Sequence, residues 1–121
     1  MSSYEDKIVR ILRKGSLRFE REKTFDDLQR GRYRFDFYII GRQVLLEVDG
    51  EYHWKPIRGR SVLLRQQEHD RRKNSYCLAH NIPLYRIPYW EIDNIKKASD
   101  LFQDKFLVKS KFHNDMLDVP K

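Results

Sequence analysis

The segment from Tyr33 to Asp49 constrains the fold of this chain more than any other part of its sequence. Apolar and polar residues alternate along both halves of the segment, and a Gly-Arg dipeptide separates the halves. This pattern predicts a β-hairpin with Gly41 at the first central position of a type II′ turn. Counting outward from that turn places Asp36 directly opposite Glu47.

Two carboxylates in that position need a compensating charge. Like charges directly opposite each other destabilise a sheet, and a half-buried pair persists when it shares a proton or binds a cation. At neutral pH a divalent cation is the natural candidate for Asp36 and Glu47; surface charges on a hairpin of another register are the alternative. The carbonyl of Val48 lies between the two acidic side chains and is a further oxygen ligand. Asp49 follows two residues after Glu47, opposite Arg34.

The composition favours a basic, folded domain. With 121 residues the chain is long enough for one domain with its own core, and its net charge is +7. That charge favours a polyanionic partner, nucleic acid before membrane, although a merely basic soluble protein is the alternative. The single cysteine, Cys77, excludes an internal disulfide, and we expect it to be a buried helix residue. The sequence shows no signal-peptide pattern and no membrane-spanning stretch, so a membrane partner is not expected.

The remaining elements predict an α/β fold (an α+β mixed sheet) in the order α-β-β-β-α-β-α. We expect a helix capped by Ser3, a strand over 17–25, a loop over 50–59, a long helix from Ser61 to His80 ended by Asn81, a strand over 83–88 and a last helix from Glu91. The core face predicted for that last helix consists of Ile92, Ile95, Ala98, Phe102 and Phe106. Residues 1–108 form a single predicted domain, and residues 109–121 form a charged tail that is expected to fray.

Several motifs occur in an order that resembles a known group of nucleases. Asp36 is followed eleven residues later by Glu47-Val-Asp49, which resembles the PD-(D/E)xK nuclease core. The strings Arg-Phe-Asp-Phe-Tyr (34–38), Leu-Glu-Val-Asp-Gly-Glu-Tyr-His (46–53), His-Asp-Arg-Arg-Lys-Asn (69–74) and Ile-Pro-Leu-Tyr-Arg-Ile-Pro-Tyr-Trp-Glu (82–91) are similar to one branch of it. That branch contains the very-short-patch-repair (Vsr) endonucleases and related phage-encoded, homing-type endonucleases. The resemblance covers roughly residues 1–100.

This resemblance implies a restriction-endonuclease-like core and a Mg²⁺-dependent endonuclease that hydrolyses DNA phosphodiester bonds, with Mn²⁺ able to substitute. Asp36, Glu47 and the Val48 carbonyl would hold the metal, with Glu5 completing the shell directly or through water. Alternatively, Glu5 only stabilises the first turn of its helix. A phage-encoded protein in the cytoplasm of a bacterial or infected host cell is the corresponding expectation.

The lysine position of the family motif is occupied by Asp49, which leaves the general base undetermined. His53 is one candidate; the alternative is a loop histidine that contacts phosphate or an aromatic ring. Asp70 either orients His53, approaches the metal through water, or pairs with Arg71 or Lys73 on its helix. Asp49 is a ligand, an orienter of the base, or the salt-bridge partner of Arg34.

Basic and aromatic residues supply the candidate nucleic-acid contacts, although ordinary solvated charge is the alternative for each basic residue. Trp54 would stack on or wedge between bases, or simply pack. The full set of candidate contacts is Arg34, Arg42, Trp54, Lys55, Arg58, Arg60, Arg65 and Lys73.

Two other functions remain open from the sequence: a non-catalytic nucleic-acid-binding module of the same fold, and a nuclease that acts on RNA. In a domain of this size, either the protein has low sequence specificity, or a homodimer or an accessory protein supplies the selectivity.

Overall fold

A four-stranded mixed sheet with helices forms the α+β fold in the computed structural model, which describes residues 3–121. The elements are α1 (Ser3–Lys14), β1 (Phe19–Lys23), β2 (Phe35–Ile39), β3 (Val44–Asp49), α2 (Arg60–Ala79) and β4 (Leu84–Pro88). The strands lie in sequence order; β1–β2 and β2–β3 are antiparallel, whereas β3–β4 is parallel. The parallel pair follows from the crossover that α2 makes between β3 and β4.

The register of the β2–β3 hairpin is the predicted one, but its turn is not. Phe37 pairs with Leu46 and Ile39 with Val44, and the same register places Asp36 across from Glu47. The loop spans four residues, 40–43, and its left-handed residue is Gln43 (φ 54°). The predicted type II′ turn at Gly41 is therefore wrong. The register survives because the loop grows by one residue on each side.

The ends of α2 show how local chemistry sets the boundaries of a helix. The helix begins one residue before Ser61, with Gly59 at the N-cap in a left-handed conformation (φ 102°), so the predicted Ser61 cap is wrong. At the other end Asn81 has φ 55°, and the Ile82 N–H donates to the Cys77 carbonyl at 3.0 Å. This is the predicted termination by a left-handed asparagine. No helix within residues 3–121 has the length and apolarity needed to cross a membrane.

Two hydrophobic clusters form the core. In the first, Ile8 and Leu12 of α1 pack with Phe37 and other strand residues. In the second, Leu45 packs with Cys77, which is 1% exposed, as expected for a buried helix residue. Ser3 is itself the first helical residue of α1 rather than its cap.

The predicted last helix is wrong, although most of its predicted core residues are buried. Three short 3₁₀ turns occupy the segment: Tyr89–Asn94, Ala98–Phe102 and Asp104–Phe106. Ile92, Ile95 and Phe106 are buried. The Asp100 carboxylate accepts hydrogen bonds from the N–H groups of Lys96 and Lys97, and such local bonds compete with a continuous helix.

The segment after residue 108 was expected to fray, but it packs back onto the domain. His113 and Asn114 are buried. Trp54 Nε1 donates to the Asn114 carbonyl at 2.9 Å, and Asn74 Nδ2 donates to the Lys111 carbonyl at 3.0 Å. This segment therefore contributes to the buried polar network described below.

Candidate active site

A cleft of about 400 Å³ opens where β2, β3, the loop after β3 and α2 meet. It collects five of the residues that the sequence singles out: Arg34, Asp36, Glu47, His53 and Lys73. It also collects five that sequence reasoning gave no role: Arg32, Tyr33, Tyr52, Gln66 and His69.

Asp36 and Glu47 form a like-charge pair in this cleft. Burial, the charge of Glu47 and a more distant contribution from Glu5 raise the pKa of Asp36 to about 9, against the effect of a hydrogen bond from the Val48 N–H at 2.7 Å. A protonated Asp36 carboxyl is close enough to donate a hydrogen bond to Glu47. The pair therefore holds a proton at neutral pH unless a cation replaces it. This is the adjacency that the hairpin register predicts.

Lys73 reaches the acidic pair from α2. Its Nζ lies 2.8 Å from Glu47 Oε1 and also donates to the carbonyl of Arg34. Burial alone would lower the pKa of Lys73, but the ion pair with Glu47 outweighs burial and raises it. The ammonium group is therefore charged at neutral pH. A lysine thus lies beside the carboxylates even though the lysine position on β3 is occupied by an acid.

Asp49 faces a buried arginine that the sequence analysis missed. Arg86 Nη1 lies 2.9 and 3.1 Å from the two carboxylate oxygens of Asp49, and Arg86 Nε donates to Asn74 Oδ1 at 2.7 Å. Arg34 instead pairs with Glu22 at 3.5 Å, so the predicted Arg34–Asp49 salt bridge is wrong. An arginine at the centre of the short, mostly apolar strand β4 was the available signal for this site.

His53 lies between two carboxylates. Its Nδ1 is 2.6 Å from Asp70 Oδ2, its Nε2 is 3.6 Å from Asp49 Oδ1, and its side chain is 3% exposed. Burial would lower the pKa of His53, but Asp49 and Asp70 together raise it. Both ring nitrogens face carboxylates and the pKa of His53 is raised, which makes the ring a poor general base, so the geometry favours a structural role for His53.

Asp70 orients His53, as one of the sequence-based alternatives proposed. Although burial favours its neutral form, the charge of Arg86 and the hydrogen bond with His53 lower the pKa of Asp70 to about 2. The alternative, a pairing of Asp70 with Arg71 or Lys73, is wrong, since Arg71 binds Asp115 at 3.0 Å and Lys73 binds Glu47 at 2.8 Å.

Asn114 and Gln66 complete the network around these carboxylates. Asn114 Nδ2 lies 3.1 Å from Asp49 Oδ2 and 3.2 Å from Asp70 Oδ2, and Gln66 Nε2 donates to Asp70 Oδ1 at 3.0 Å. The guanidinium of Arg86 lies beside both carboxylates, and these carboxylates in turn raise the pKa of His53. Asn114 had no sequence signal, because a polar residue in a charged tail looks like an ordinary solvent-exposed residue.

Glu5 lies near the acidic pair, as proposed, but it already has a cationic partner. Arg21 Nη2 is 3.1 Å from Glu5 Oε1, with both side chains partly buried. The negative charge of Glu5 still contributes to the raised pKa of Asp36. Glu5 therefore belongs to the electrostatic surroundings of the pair.

The proposed nucleic-acid contacts fall into different places. Arg42 lies in the hairpin turn, at the opposite end of β2 and β3 from Asp36, with its guanidinium 4.3 Å from the ring centroid of Phe102. Trp54 packs on Trp90 at 4.8 Å between ring centroids, which favours the packing role over a base wedge.

The basic loop after β3 lies closer to the cleft. The guanidinium of Arg58 lies 5.4 Å from the ring centroid of Tyr52, which lines the cleft, and Lys55 lies 5.5 Å from the centroid of Tyr89. Arg60 and Arg65 are exposed on the first turns of α2. These four residues remain candidate phosphate contacts.

The role of His53 is open to a direct test. We expect His53→Ala to lower the free energy of unfolding by roughly 3–5 kcal/mol, because Asp49 and Asp70 lose the buried ring that lies between them. In wild type the raised pKa makes His53 contribute stability below pH 6.5, and this contribution is lost as pH rises through the higher folded-state pKa. Urea unfolding between pH 5 and 9 measures this loss, in an Asp36→Asn background so that Asp36 does not titrate. Wild-type stability in the His53→Ala protein would contradict the structural role.

The donor atoms at the acidic pair fit a hard divalent cation. Two carboxylates and a backbone carbonyl are oxygen ligands, and Mg²⁺ keeps several waters rather than requiring an all-protein cage. Among residues 3–121 no group of three or more His, Cys, Asp or Glu side chains is arranged to hold a metal. The candidate donors predicted from the sequence are two side chains, Asp36 and Glu47, and one backbone carbonyl, that of Val48.

Comparison of the chain with protein-family models, curated proteins and solved structures gave no match.

Proposed function

We propose that this protein is a metal-dependent endonuclease that hydrolyses DNA phosphodiester bonds, with a PD-(D/E)xK, restriction-endonuclease-like core of the Vsr-like and phage homing-type branch. One observation carries the proposal: Asp36 and Glu47 lie opposite each other in an open cleft of a chain with net charge +7, where burial and the charge of Glu47 raise the pKa of Asp36 to about 9. Bare carboxylates would repel a phosphate. A bridging cation removes that conflict and makes the same residues useful for phosphoryl chemistry.

Asp36, Glu47 and the Val48 carbonyl would hold Mg²⁺, or Mn²⁺ in its place. The bound ion would supply a Lewis acid for a phosphate oxygen and a water of lowered pKa. The Val48 N–H, which donates to Asp36 Oδ2 at 2.7 Å, fixes the orientation of the Asp36 carboxylate. Glu5 adds negative charge beside the pair, which strengthens its preference for a cation.

Lys73 supplies the positive charge that the motif lysine would otherwise supply. An ammonium group has three N–H donors, and two of them go to Glu47 and to the Arg34 carbonyl. The third can donate to a phosphate oxygen or to the attacking water. Because Lys73 stays protonated, its role is to stabilise negative charge rather than to accept a proton.

The contribution of Lys73 can be measured separately. Lys73→Met should lower turnover by roughly 10²–10³-fold, the usual cost of removing one preorganised electrostatic donor. Lys111→Met, at an exposed lysine outside the cleft, is the matched control. Turnover in Lys73→Met within about threefold of the control would exclude this role, since such a change is below about 1 kcal/mol.

The experiment that tests the proposal is incubation with supercoiled plasmid, single-stranded DNA or structured RNA, each with Mg²⁺, Mn²⁺ or EDTA. We expect DNA cleavage with either metal and none with EDTA. Asp93→Asn, at an exposed carboxylate, should cleave like wild type. Binding without cleavage under all conditions would contradict the proposal and favour a non-catalytic binding module. Cleavage of RNA alone would reassign the substrate.

A further inference from the structure

The turn between β1 and β2 combines an unusual backbone with a concentration of arginines. Gln29, Arg30 and Gly31 are consecutive residues with positive φ (48°, 54° and 77°). Non-glycine residues rarely adopt this conformation, and it persists where surrounding contacts hold it. Here Leu28 is buried in the second core cluster, and its carbonyl accepts the Gly31 N–H at 3.0 Å. The turn is therefore fixed in place.

The arginines of this turn point away from the core. Arg30, Arg32 and Arg34 are all exposed. Among the residues that the structure describes, Arg30 and Arg32 have no ion-pair partner, and Arg34 makes only the exposed 3.5 Å contact with Glu22. Guanidinium groups without an internal partner are available for an external anion.

These arginines lead directly to the acidic pair. Arg32 and Arg34 line the cleft that contains Asp36 and Glu47. Arg32 also lines an adjoining depression of about 490 Å³ together with Arg30. Asp26 and Asp27 line that depression as well, so the arginines of the turn face the cleft through Arg32 and Arg34.

Side-chain contacts also connect the turn to α2 beside the cleft. The ring of Tyr33 lies 4.5 Å from that of His69, and Arg72 Nη1 donates to the Tyr33 hydroxyl at 3.1 Å. These contacts hold the arginines on either side of Tyr33 at a set position relative to the carboxylates.

We propose that residues 29–34, the arginine turn, bind the phosphate backbone of the DNA strand that enters the cleft. The inference rests on the proposed function for the identity of the polyanion. The acidic pair repels phosphate, so cationic groups beside it are needed to draw a strand in. Arginine suits this task because its planar guanidinium binds phosphate oxygens in pairs and cannot be deprotonated. Within residues 3–121 the exposed side chains of Arg30 and Arg32 make no hydrogen bond or ion pair, so replacing them removes no internal contact of that kind.

The test is the salt dependence of DNA binding by the full chain. We would measure the affinity for a labelled DNA duplex, in Ca²⁺ and at several salt concentrations, of three proteins. These are wild type, the arginine-turn variant Arg30→Ala/Arg32→Ala, and the control Arg10→Ala/Arg13→Ala. The control removes two exposed arginines from α1. The arginine-turn variant should bind at least about tenfold more weakly at low salt, with a slope of log K against log salt smaller by about two units. The control should bind within about threefold of wild type. Arg30→Lys/Arg32→Lys should keep the slope, because it keeps the charges.

An unchanged slope in the arginine-turn variant would overturn the proposal, as would an equal loss in the α1 control, which would indicate undirected attraction. A variant that loses binding to anionic vesicles but not to DNA would also overturn it. Because DNA binding is measured without cleavage, the proposal for the arginine turn can be contradicted in a protein that still cuts plasmid. Conversely, a smaller salt slope in a protein that does not cut DNA would support the arginine turn and contradict only the nuclease proposal.

Discussion

Replacing Asp36 with asparagine should abolish DNA cleavage and, without metal, make the folded protein more stable. The asparagine side chain keeps an oxygen that can accept the Val48 N–H, so the local geometry is retained. It removes a carboxylate ligand, which we expect to cost several kcal/mol of transition-state stabilisation, or roughly 10³-fold or more in turnover. Plasmid cleavage under single-turnover conditions with Mg²⁺ measures the loss.

The stability change follows from the direction of the pKa shift. The pKa of Asp36 is about 9 in the folded protein, against an ordinary value of 3.8 for an aspartate. Between these values the folded state binds more protons than the unfolded state, so wild-type stability falls as pH rises from about 4 to about 9. Asp36→Asn removes this dependence. Urea unfolding in EDTA at pH 5, 7 and 9 should show a gap between variant and wild type that widens with pH.

Glu47→Gln is the informative companion. It should abolish cleavage to a similar extent, but it should not stabilise the fold, because Glu47 also pairs with Lys73 at 2.8 Å and the glutamine removes that direct ion pair of a buried ammonium. The two substitutions therefore separate the cost of the like-charge pair from the value of the ion pair. Full cleavage by either variant would count decisively against a metal site at these residues.

The sequence predicted the strands of this fold better than its helices. Alternation over 33–49 predicted the register that places Asp36 beside Glu47, because side-chain direction in a strand has a period of two and the buried face fixes the phase. The prediction of the last helix was wrong because successive 3₁₀ turns also satisfy the spacing of its apolar residues. The Asp100 carboxylate accepts hydrogen bonds from the N–H groups of Lys96 and Lys97, which compete with a continuous helix, and hydrophobic periodicity carries no information about such bonds.

The sequence also predicted the residues of the candidate site that line the cleft, but not the buried residues that hydrogen-bond to the neighbouring carboxylates. Asp36, Glu47 and His53 lie close together in the chain, on the hairpin and the loop that follows it. Arg86 and Asn114 come from distant segments, and Asn114 reaches Asp49 across 65 positions. Only the tertiary fold brings them together, and without them the orientation of Asp49 and His53 could not be inferred.

Replacing the buried guanidinium should produce a large loss of stability. Arg86 is fully buried and binds Asp49, Asn74 and, at 3.4 Å, the Asp70 carbonyl. Burial alone would lower its pKa, but the charges of Asp49 and Asp70 raise it well above the usual value. Arg86→Met has a side chain that can fill part of the space, but it leaves two buried carboxylates with only His53 as counter-charge. Breaking a buried pair in this way costs about 3–5 kcal/mol.

That cost is a large part of the roughly 5–15 kcal/mol that stabilises a domain, so we expect the melting temperature of Arg86→Met to fall by roughly 10–25 °C. Arg10→Met, at an exposed arginine of α1, is the control and should stay within about 0.5 kcal/mol of wild type. Adding Asp49→Asn to Arg86→Met should recover part of the loss, because it removes one unpaired charge. If the double variant is no more stable than Arg86→Met, the cost lies in packing and hydrogen bonds rather than in uncompensated charge. If Arg86→Met has the same melting temperature as the control, the buried polar network does not stabilise the packing of β3, α2 and β4 around the cleft.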